Sequence, residues 1–312
     1  MNASKDHRRL SVRELNDLVN KEKQVCLIDV LGSEHFQLVH LPGSSNACVY
    51  EVTFIDQVRA ITEDKNTRIV LYGSSGNSMD SVKAAEKLLN EGYKDVLILE
   101  GGIEAWRSAG NPLEGNNIHE NIDPYTHLRP LNENRKYKID REQSILQWTG
   151  RNQNSIHVGV LKIAKGEFTV KNEKFSGEFK IDMDSIINFD LEGDELQPVL
   201  ISHLKSDDFF LTKLFPNATF EILDARPVNE PFLGSPNFKI KGSLTLRGMK
   251  LDQDFMATVT EIHPNGVVAE AHFDIDRTRW GVIYGSARFF EHLGMHLVFD
   301  MISIQTKIIA YC

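Results

Sequence analysis

The chain has 312 residues, a length that suits two ordinary domains better than one. Apolar residues make up 41% and charged residues 25%, a balance typical of chains that bury cores, and the net charge of −9 argues against nucleic acid or an anionic membrane surface as the main partner. The three cysteines are too few to predict a disulfide framework, which favours a reducing compartment.

The first residues carry positive charges, but no apolar run follows them, so the sequence predicts no signal peptide. The longest apolar runs have the length of strands, which predicts no membrane-spanning helix. We therefore expect a cytoplasmic protein.

Residues 1–112 alternate between strand-like and helix-like patterns. Ser11 and Glu14 have the spacing of a capping box at the start of an amphipathic helix. Continuous apolar runs typical of buried parallel strands occur at 25–30, 68–72 and 95–99. Between the last two runs, apolar residues recur at helical spacing. The alternation predicts an α/β domain, a parallel sheet with flanking helices.

Residues 113–136 change character, because the stretch is polar and contains Pro124 and Pro130. We interpret it as a linker between two domains.

Residues 137–312 have a periodicity of two. Apolar and polar or charged residues alternate in the segments 179–183, 238–247 and 269–276. One helical pattern, between Glu195 and Leu204, interrupts these strands. One-sided strands of this kind predict an all-β antiparallel barrel or sandwich with one helical insertion.

A strand, a loop and the start of a helix follow one another between Ile69 and Asp80. Backbone N–H groups at such a helix N-terminus are suited to hold an anion. The candidate anion loop comprises Gly73, Ser74, Ser75, Gly76, Asn77 and Ser78.

Three further segments accompany this loop: Ile-Asp-Val at 28–30, His-Leu-Pro-Gly-Ser-Ser-Asn-Ala at 40–47 and Glu-Gly-Gly-Ile-Glu-Ala-Trp at 100–106. Together they resemble the rhodanese family over residues 10–113. That family carries Cys-x-x-Gly-x-Arg-Ser in the loop. Here Gly73 stands at the cysteine position, Gly76 matches, and Ser78 and Met79 replace the arginine and serine.

The substitution at Gly73 matters chemically, because sulfur transfer through a persulfide needs a thiolate, which glycine lacks. We therefore predict a catalytically silent rhodanese-like domain that docks a protein partner or senses an anion. The alternative for the loop itself is a vestigial turn kept for its shape.

The C-terminal half resembles the YceI-like family over residues 137–310, lipocalin-like barrels that bind polyisoprenoid or related amphiphilic chains. The segments that carry the resemblance are 179–186, 206–220, 241–248 and 276–281. The resemblance implies a lipid-binding barrel, whose interior holds one small ligand when side chains do not fill it. Alternation alone does not distinguish a hollow barrel from a packed one.

The predicted cavity residues share an apolar character and an inward position on the predicted strands or beside the helical insertion. They are Phe179, Ile181, Met183, Phe209, Phe210, Phe220, Leu244, Leu246, Phe273, Ile275, Phe299 and Met301. His157 lies in an early strand, from which it can reach a polar head group. Asp276 and Arg277 are interpreted as a structural ion pair.

The favoured function is thus a carrier for an apolar or amphiphilic chain, polyisoprenoid-like or fatty-acyl-like. One alternative is a sulfurtransferase-related enzyme that uses an unrecognised group, and another is a scaffold with a solid-packed barrel. We expect no cofactor other than a bound lipid or isoprenoid, no metal site and no catalytic residue. The expected partners are an apolar small molecule and a protein docked on the rhodanese-like domain.

Overall fold

A computed structural model of the chain describes residues 7–21, 25–118, 134–171, 174–229, 231–232, 234–263 and 265–312. The chain divides into two compact units, Met1–Ile122 and Asp123–Cys312. Most of the predicted linker lies outside the described residues. Its first part packs on the N-terminal unit, because the backbones of Glu114 and His40 exchange hydrogen bonds of 2.8 and 2.9 Å.

The N-terminal unit alternates short strands and helices, as the sequence predicts. In chain order these are β1 (Arg9–Leu10), α1 (Val12–Lys21), β2 (Val25–Asp29), α2 (Ser33–Leu38), β3 (Ser45–Asn46), α3 (Phe54–Ile61), β4 (Arg68–Tyr72), α4 (Asp80–Asn90), β5 (Asp95–Leu99) and α5 (Gly102–Ser108).

The five strands form one parallel sheet in the order β1-β5-β4-β2-β3. Successive side chains along a strand point to opposite faces of the sheet and enter two separate cores. In β4, Ile69 and Leu71 pack with α3 and α4 on one face, whereas Val70 and Tyr72 pack with α1 and α5 on the other. Burial on both faces explains the continuous apolar runs, and the predicted α/β class is confirmed.

The capping box at the start of α1 is also present. The backbone N–H of Ser11 donates to the Glu14 carboxylate at 2.8 Å, and the N–H of Glu14 donates to the Ser11 hydroxyl at 3.3 Å. These hydrogen bonds hold the pKa of Glu14 below its ordinary value. The pair satisfies two N–H groups that the helix itself leaves unpaired.

The C-terminal unit is almost entirely strand. Its elements are β6 (Arg135–Ile139), β7 (Ile145–Arg151), β8 (Ile156–Lys171), β9 (Lys174–Asn188), α6 (Leu196–Lys205), β10 (Asn217–Pro227), β11 (Phe238–Leu246), β12 (Met249–Asp252), β13 (Phe255–His263), β14 (Gly266–Asp276) and β15 (Met301–Tyr311), with 3-10 turns at Arg277–Trp280 and Gly294–His296.

These strands close into an antiparallel barrel. The order β10-β9-β8-β6-β15-β14-β13-β11 returns to its start through the pairing of β10 with β11. Strand β7 continues the position of β6 between β8 and β15, and β12 extends the edge of β11 as a hairpin. Along the described strands the ring therefore has eight positions, the size at which an interior is filled by side chains or holds one small ligand. The predicted barrel with one helical insertion, α6, is confirmed.

None of the helices in the described ranges is long and apolar enough to cross a membrane.

Candidate functional site

The barrel is hollow. A cavity of about 430 Å³ lies among the inward side chains of β7, β8, β9, β10, β11, β13, β14 and β15. This volume lies within the range of pockets that take small molecules, roughly 300–1,000 Å³. The solid-packed alternative is therefore contradicted by the structure.

Eleven of the twelve predicted cavity residues line this cavity: Phe179, Ile181, Met183, Phe209, Phe210, Phe220, Leu244, Leu246, Phe273, Ile275 and Phe299. Phe299 is also 43% exposed, so it lies where the cavity meets the surface.

Met301 was wrongly predicted to line the cavity. It is 43% exposed and pairs with Asp276, whereas the next residue, Ile302, pairs with the inward-facing Ile275. Directly paired residues point to the same side of a sheet, so the even-numbered residues of β15 face inward. Inward positions of β15 counted in steps of two from Phe299 are wrong, because Phe299 precedes the strand and does not share its alternation.

Most of the cavity wall is apolar and rich in aromatic rings. Phe255 and Phe273 stack with centroids 4.2 Å apart, and Phe220 lies 5.3 Å from Phe255. On the same two strands, β13 and β14, Ala257 and Ala271 pair directly and contribute only methyl groups to the wall. The space left by these small side chains is part of what keeps the barrel from filling.

Polar residues concentrate at one end of the cavity, although Gln253 and Thr306 also line it. The polar lining residues there are Arg151, Asn152, His157, His203, Arg277 and His296. Met295 lies among them and is 82% exposed, so the cavity opens at this end. An apolar interior with a few polar groups near its opening suits an amphiphile with its head group at the opening.

Helix α6 contributes to this opening through His203, Leu200 and Leu204. The ring of His203 makes edge contacts with Phe209 and Tyr284, with centroids 4.9 and 4.7 Å away. Its Nε2 atom lies 3.0 Å from Oδ2 of Asp208. The helical insertion therefore supplies both an apolar and a polar part of the opening.

Arg277 is fully buried at the same end and is committed to the backbone. Its guanidinium donates hydrogen bonds of 2.7, 3.0 and 3.1 Å to the carbonyls of Val282, Val298 and Phe299. The predicted pairing with Asp276 is wrong, because Asp276 accepts a 2.7 Å hydrogen bond from Arg288. Arg277 thus fixes the segment between β14 and β15 over the opening.

Several lining residues were missed by the sequence analysis, including Trp148, Arg151 and His203. In β7 the signal was present, because Leu146, Trp148 and Gly150 alternate with polar residues. The indole Nε1 of Trp148 is buried and has no hydrogen-bond partner among the described residues. A buried donor without a partner is costly, and this one belongs to a residue of the cavity wall.

The rhodanese-like loop carries its own anion, the carboxylate of Asp80, which is 4% exposed. Oδ2 of Asp80 accepts hydrogen bonds from the Ser74 N–H, the Ser74 hydroxyl and the Ser78 hydroxyl at 3.1, 3.0 and 2.8 Å. Oδ1 accepts from the Ser81 N–H at 2.7 Å. A carboxylate at the start of α4 also interacts favourably with the helix dipole.

The remaining loop residues lie around this carboxylate. Ser75 is half-buried and its hydroxyl accepts the Asn77 N–H at 3.3 Å, whereas Gly76 and Asn77 are exposed. A Cβ atom placed on Gly73 overlaps the Asp80 carboxylate. The donors of Ser74 and Ser78 that would face an external anion are therefore occupied from within.

The cysteines lie elsewhere. Cys48 is buried, and burial raises the pKa of the half-buried Cys26 thiol in β2. Cys312 is exposed in the other unit. None of the three stands in the loop between β4 and α4.

Asp29, at the end of β2, is a second buried carboxyl of this unit and has no exposed surface. Its Oδ1 accepts the Leu31 N–H at 2.8 Å. Burial, with a smaller contribution from the charge of Asp80, raises the pKa of Asp29 to about 6.

Comparison with known proteins agrees with both halves. The family described as YceI-like domain matches residues 137–310, and the family described as rhodanese-like domain matches residues 11–109. Both predicted resemblances are confirmed. Thiosulfate sulfurtransferase GlpE of Vibrio cholerae is 30% identical over 95 residues, which are 30% of this chain and 83% of that protein.

Adenylyltransferase and sulfurtransferase UBA4 of Candida albicans is 34% identical over 106 residues, which are 32% of this chain and 24% of that protein. The chain thus spans about a quarter of that relative. Among solved structures, a polyisoprenoid binding domain from Saccharophagus degradans covers 56% of this chain and 98% of its own, at 12% identity and a TM-score of 0.41.

Proposed function

Because the chain belongs to the YceI-like domain family through residues 137–310, with a rhodanese-like domain at 11–109, we propose that its barrel binds and carries one apolar or amphiphilic chain, polyisoprenoid-like or fatty-acyl-like. The observation that carries the proposal is the cavity of about 430 Å³, which is mostly apolar along its length and polar at its opening.

The physical chemistry of burial supports this class of ligand. Each methylene transferred from water to an apolar site contributes roughly 0.8 kcal/mol, so about ten methylenes contribute roughly 8 kcal/mol before association costs. Net micromolar affinity needs about 8 kcal/mol, which a somewhat longer chain or a few head-group hydrogen bonds supply. A short polar metabolite would leave the aromatic wall of the cavity unused.

The first test is to identify what the purified protein holds. We expect native mass spectrometry of the full chain to show an added mass that denaturation removes, and organic extraction to yield a chain-bearing molecule. Protein stripped of its ligand should bind a fluorescent long-chain fatty acid with an affinity in the micromolar range. Absence of saturable binding by the stripped protein would contradict the proposal.

The second test fills the cavity. Ala271 lines it, and the neighbouring His272 on β14 is exposed. We expect Ala271→Phe to weaken binding of the fatty acid by about tenfold or more, which corresponds to about 1.4 kcal/mol. His272→Phe adds the same ring to the outer face and should leave the affinity unchanged.

For the N-terminal domain we propose a catalytically silent role as a docking module. A persulfide needs a thiolate in the loop, and the loop between Gly73 and Met79 contains serines but no cysteine. Because the Asp80 carboxylate occupies the Ser74 and Ser78 donors, we do not carry the anion-sensing role forward. We expect no turnover of thiosulfate and cyanide above a buffer blank, and measurable turnover would favour the sulfurtransferase alternative.

The free thiols of Cys26, Cys48 and Cys312 suit a reducing compartment, so we propose a cytoplasmic location.

A further inference from the structure

Three side chains at the polar end of the barrel form a relay of hydrogen bonds. The hydroxyl of Ser155 lies 3.1 Å from Nε2 of His157. The opposite ring nitrogen, Nδ1, lies 2.8 Å from Oδ2 of Asp190. A hydroxyl, an imidazole and a carboxylate in this order have the geometry of an activated serine nucleophile, its base and the group that orients the base.

The first two side chains meet at the start of β8. Ser155 directly precedes the strand and His157 is its second residue; their side chains are joined by the hydrogen bond, while Ile156 between them is 58% exposed. His157 lines the cavity, which places the Ser155 hydroxyl within hydrogen-bond reach of the cavity wall.

The carboxylate of Asp190 is fixed from the other side. Its Oδ1 accepts the Val158 N–H at 2.7 Å and the side-chain amide of Asn188 at 2.6 Å. Asn188 is 1% exposed, and its own oxygen accepts the Leu191 N–H at 3.0 Å.

Although partial burial acts to raise it, the hydrogen bonds from Val158, His157 and Asn188 hold the pKa of Asp190 below its ordinary value. An ionised carboxylate at Nδ1 keeps the proton on that nitrogen and leaves Nε2 as the acceptor for the serine proton.

A hydrogen-bond donor for a developing oxyanion lies one step deeper in the cavity. Trp148 pairs with Gly159 on β8, next to the pair of Gly150 with His157. Its Nε1 is one of the buried side-chain atoms without a hydrogen-bond partner in the described part of the chain, and Trp148 itself lines the cavity. Such a donor strengthens binding of a carbonyl oxygen most when that oxygen gains negative charge.

We infer that Ser155, His157 and Asp190 form a hydrolytic site for carboxylic esters whose apolar chain occupies the cavity. The inference rests on the proposed function, because the cavity must hold the chain for the ester group to reach the serine. Ser155 and His157 are the catalytic residues, Asp190 positions His157, and Trp148 donates to the carbonyl oxygen.

The reaction needs only water and the ester. The Ser155 oxygen attacks the carbonyl carbon while its proton passes to Nε2 of His157. The bond to the leaving alcohol then breaks, and the alcohol departs with that proton. Water next gives a proton to Nε2 and attacks the acyl-serine, which releases the carboxylic acid and restores the serine hydroxyl. No electrons are transferred, so no oxidant or reductant is required.

The test uses the full chain with para-nitrophenyl decanoate and para-nitrophenyl acetate. We expect a higher kcat/KM for the decanoate, because its chain fills the cavity. Ser155→Ala should lower kcat by about 10²-fold or more. Ser176→Ala, which changes an exposed serine on β9, should match the wild type. A fluorophosphonate should label Ser155, as mapped by peptide mass spectrometry.

The positioning and donor roles have separate readouts. Asp190→Asn should lower kcat with little change in KM. Trp148→Phe keeps the ring but removes the N–H, so it should lower kcat while long-chain fatty-acid binding persists. Ester turnover that Ser155→Ala leaves unchanged, or no Ser155 label in protein that binds the fatty acid, would overturn the inference and leave the carrier function standing. Loss of fatty-acid binding in the wild type would instead contradict the carrier function.

Discussion

At the scale of single residues, Asp80 occupies the hydrogen-bond donors of the rhodanese-like loop. The loop offers the hydrogen-bond donors typical of an anion site, but an aspartate of the following helix binds them from within. A buried carboxylate with this many donors is well compensated for its loss of water. Gly73 and Asp80 therefore depend on one another, since a side chain at position 73 and the carboxylate need the same space.

This overlap predicts the behaviour of Gly73→Cys. We expect no recovery of thiosulfate sulfurtransferase activity, because the new thiol must displace the Asp80 carboxylate and Ser78 supplies no positive charge to stabilise a thiolate. We also expect a loss of stability of about 1–3 kcal/mol, the usual cost of overpacking, measured by thermal unfolding. The double variant Gly73→Cys/Asp80→Gly should recover part of that stability, and a single variant as stable as the wild type would refute the clash.

Asp29 makes the stability of the N-terminal domain depend on pH. Its pKa is raised from 3.8 to about 6, so the folded state holds the proton more tightly than the unfolded chain. Its stabilising contribution is therefore complete below about pH 4 and is lost as the pH rises through 6. Between pH 4 and 7 we expect the wild type to lose up to about 3 kcal/mol of unfolding free energy that Asp29→Asn does not lose.

Denaturant unfolding at several pH values checks this expectation. Asp17→Asn, which changes an exposed carboxyl on α1, should follow the wild-type pH dependence. If the unfolding free energies of the wild type and of Asp29→Asn changed in parallel with pH, the pKa of Asp29 would be the same in the folded and unfolded states.

At the scale of elements, most strands of the barrel were predictable because one face is apolar and the other is not. In β14, Ala271 and Ile275 face inward between charged residues, and the sequence pattern matches the structure without a shift. The pattern failed at β15, where the inward position of Phe299 belongs to the preceding loop and the strand starts with the opposite parity.

Other features of the structure could not be predicted from a local sequence pattern. Strand β8 carries register shifts between Val160 and Lys162 and between Ile163 and Lys165, and the second shift changes the inward residues from odd-numbered to even-numbered. The contact of His157 with Asp190 joins residues 33 positions apart, and it depends on how β8 pairs with β9. The contacts of Asp80 depend on the conformation of a loop. Pairing registers and loop conformations are tertiary outcomes that no single-strand pattern specifies.

The segment between β14 and β15 depends on Arg277. We expect Arg277→Met to lower the unfolding free energy of the barrel by about 3 kcal/mol or more, because three carbonyls, one buried and two part-buried, lose their donor. Hydrogen exchange at the Val282 and Val298 amides should also accelerate. Arg279→Met, at an exposed position that donates to one carbonyl, should cost less than about 1 kcal/mol. Equal effects of the two variants would show that the buried guanidinium does not hold the segment.

At the scale of the whole molecule, each unit has its own hydrophobic cores. The clusters around Ile69 and Val70 contain only residues of the first unit, and those around Trp148 and Tyr137 contain only residues of the second. Units that bury their own apolar surface are expected to fold alone.

We therefore predict that a fragment of residues 123–312 folds without the N-terminal unit. Its circular dichroism should show β structure with one cooperative melting transition, and it should bind the long-chain fatty acid as the full chain does. A fragment that is unfolded, or folded but unable to bind, would show that the barrel depends on the rhodanese-like domain.

The pairing of β15 with β6 and β7 sets the order of events during synthesis. The barrel closes only when residues 301–311 reach strands that left the ribosome about 150 residues earlier. Until then β14 on one side and β6 and β7 on the other expose unpaired edges beside an apolar face, and such a state forms the native pairing slowly and is prone to aggregation. The N-terminal α/β unit, whose strands are all available by residue 99, can fold first. We therefore expect chaperones to bind the barrel segment during translation, mainly in the interval before β15 emerges.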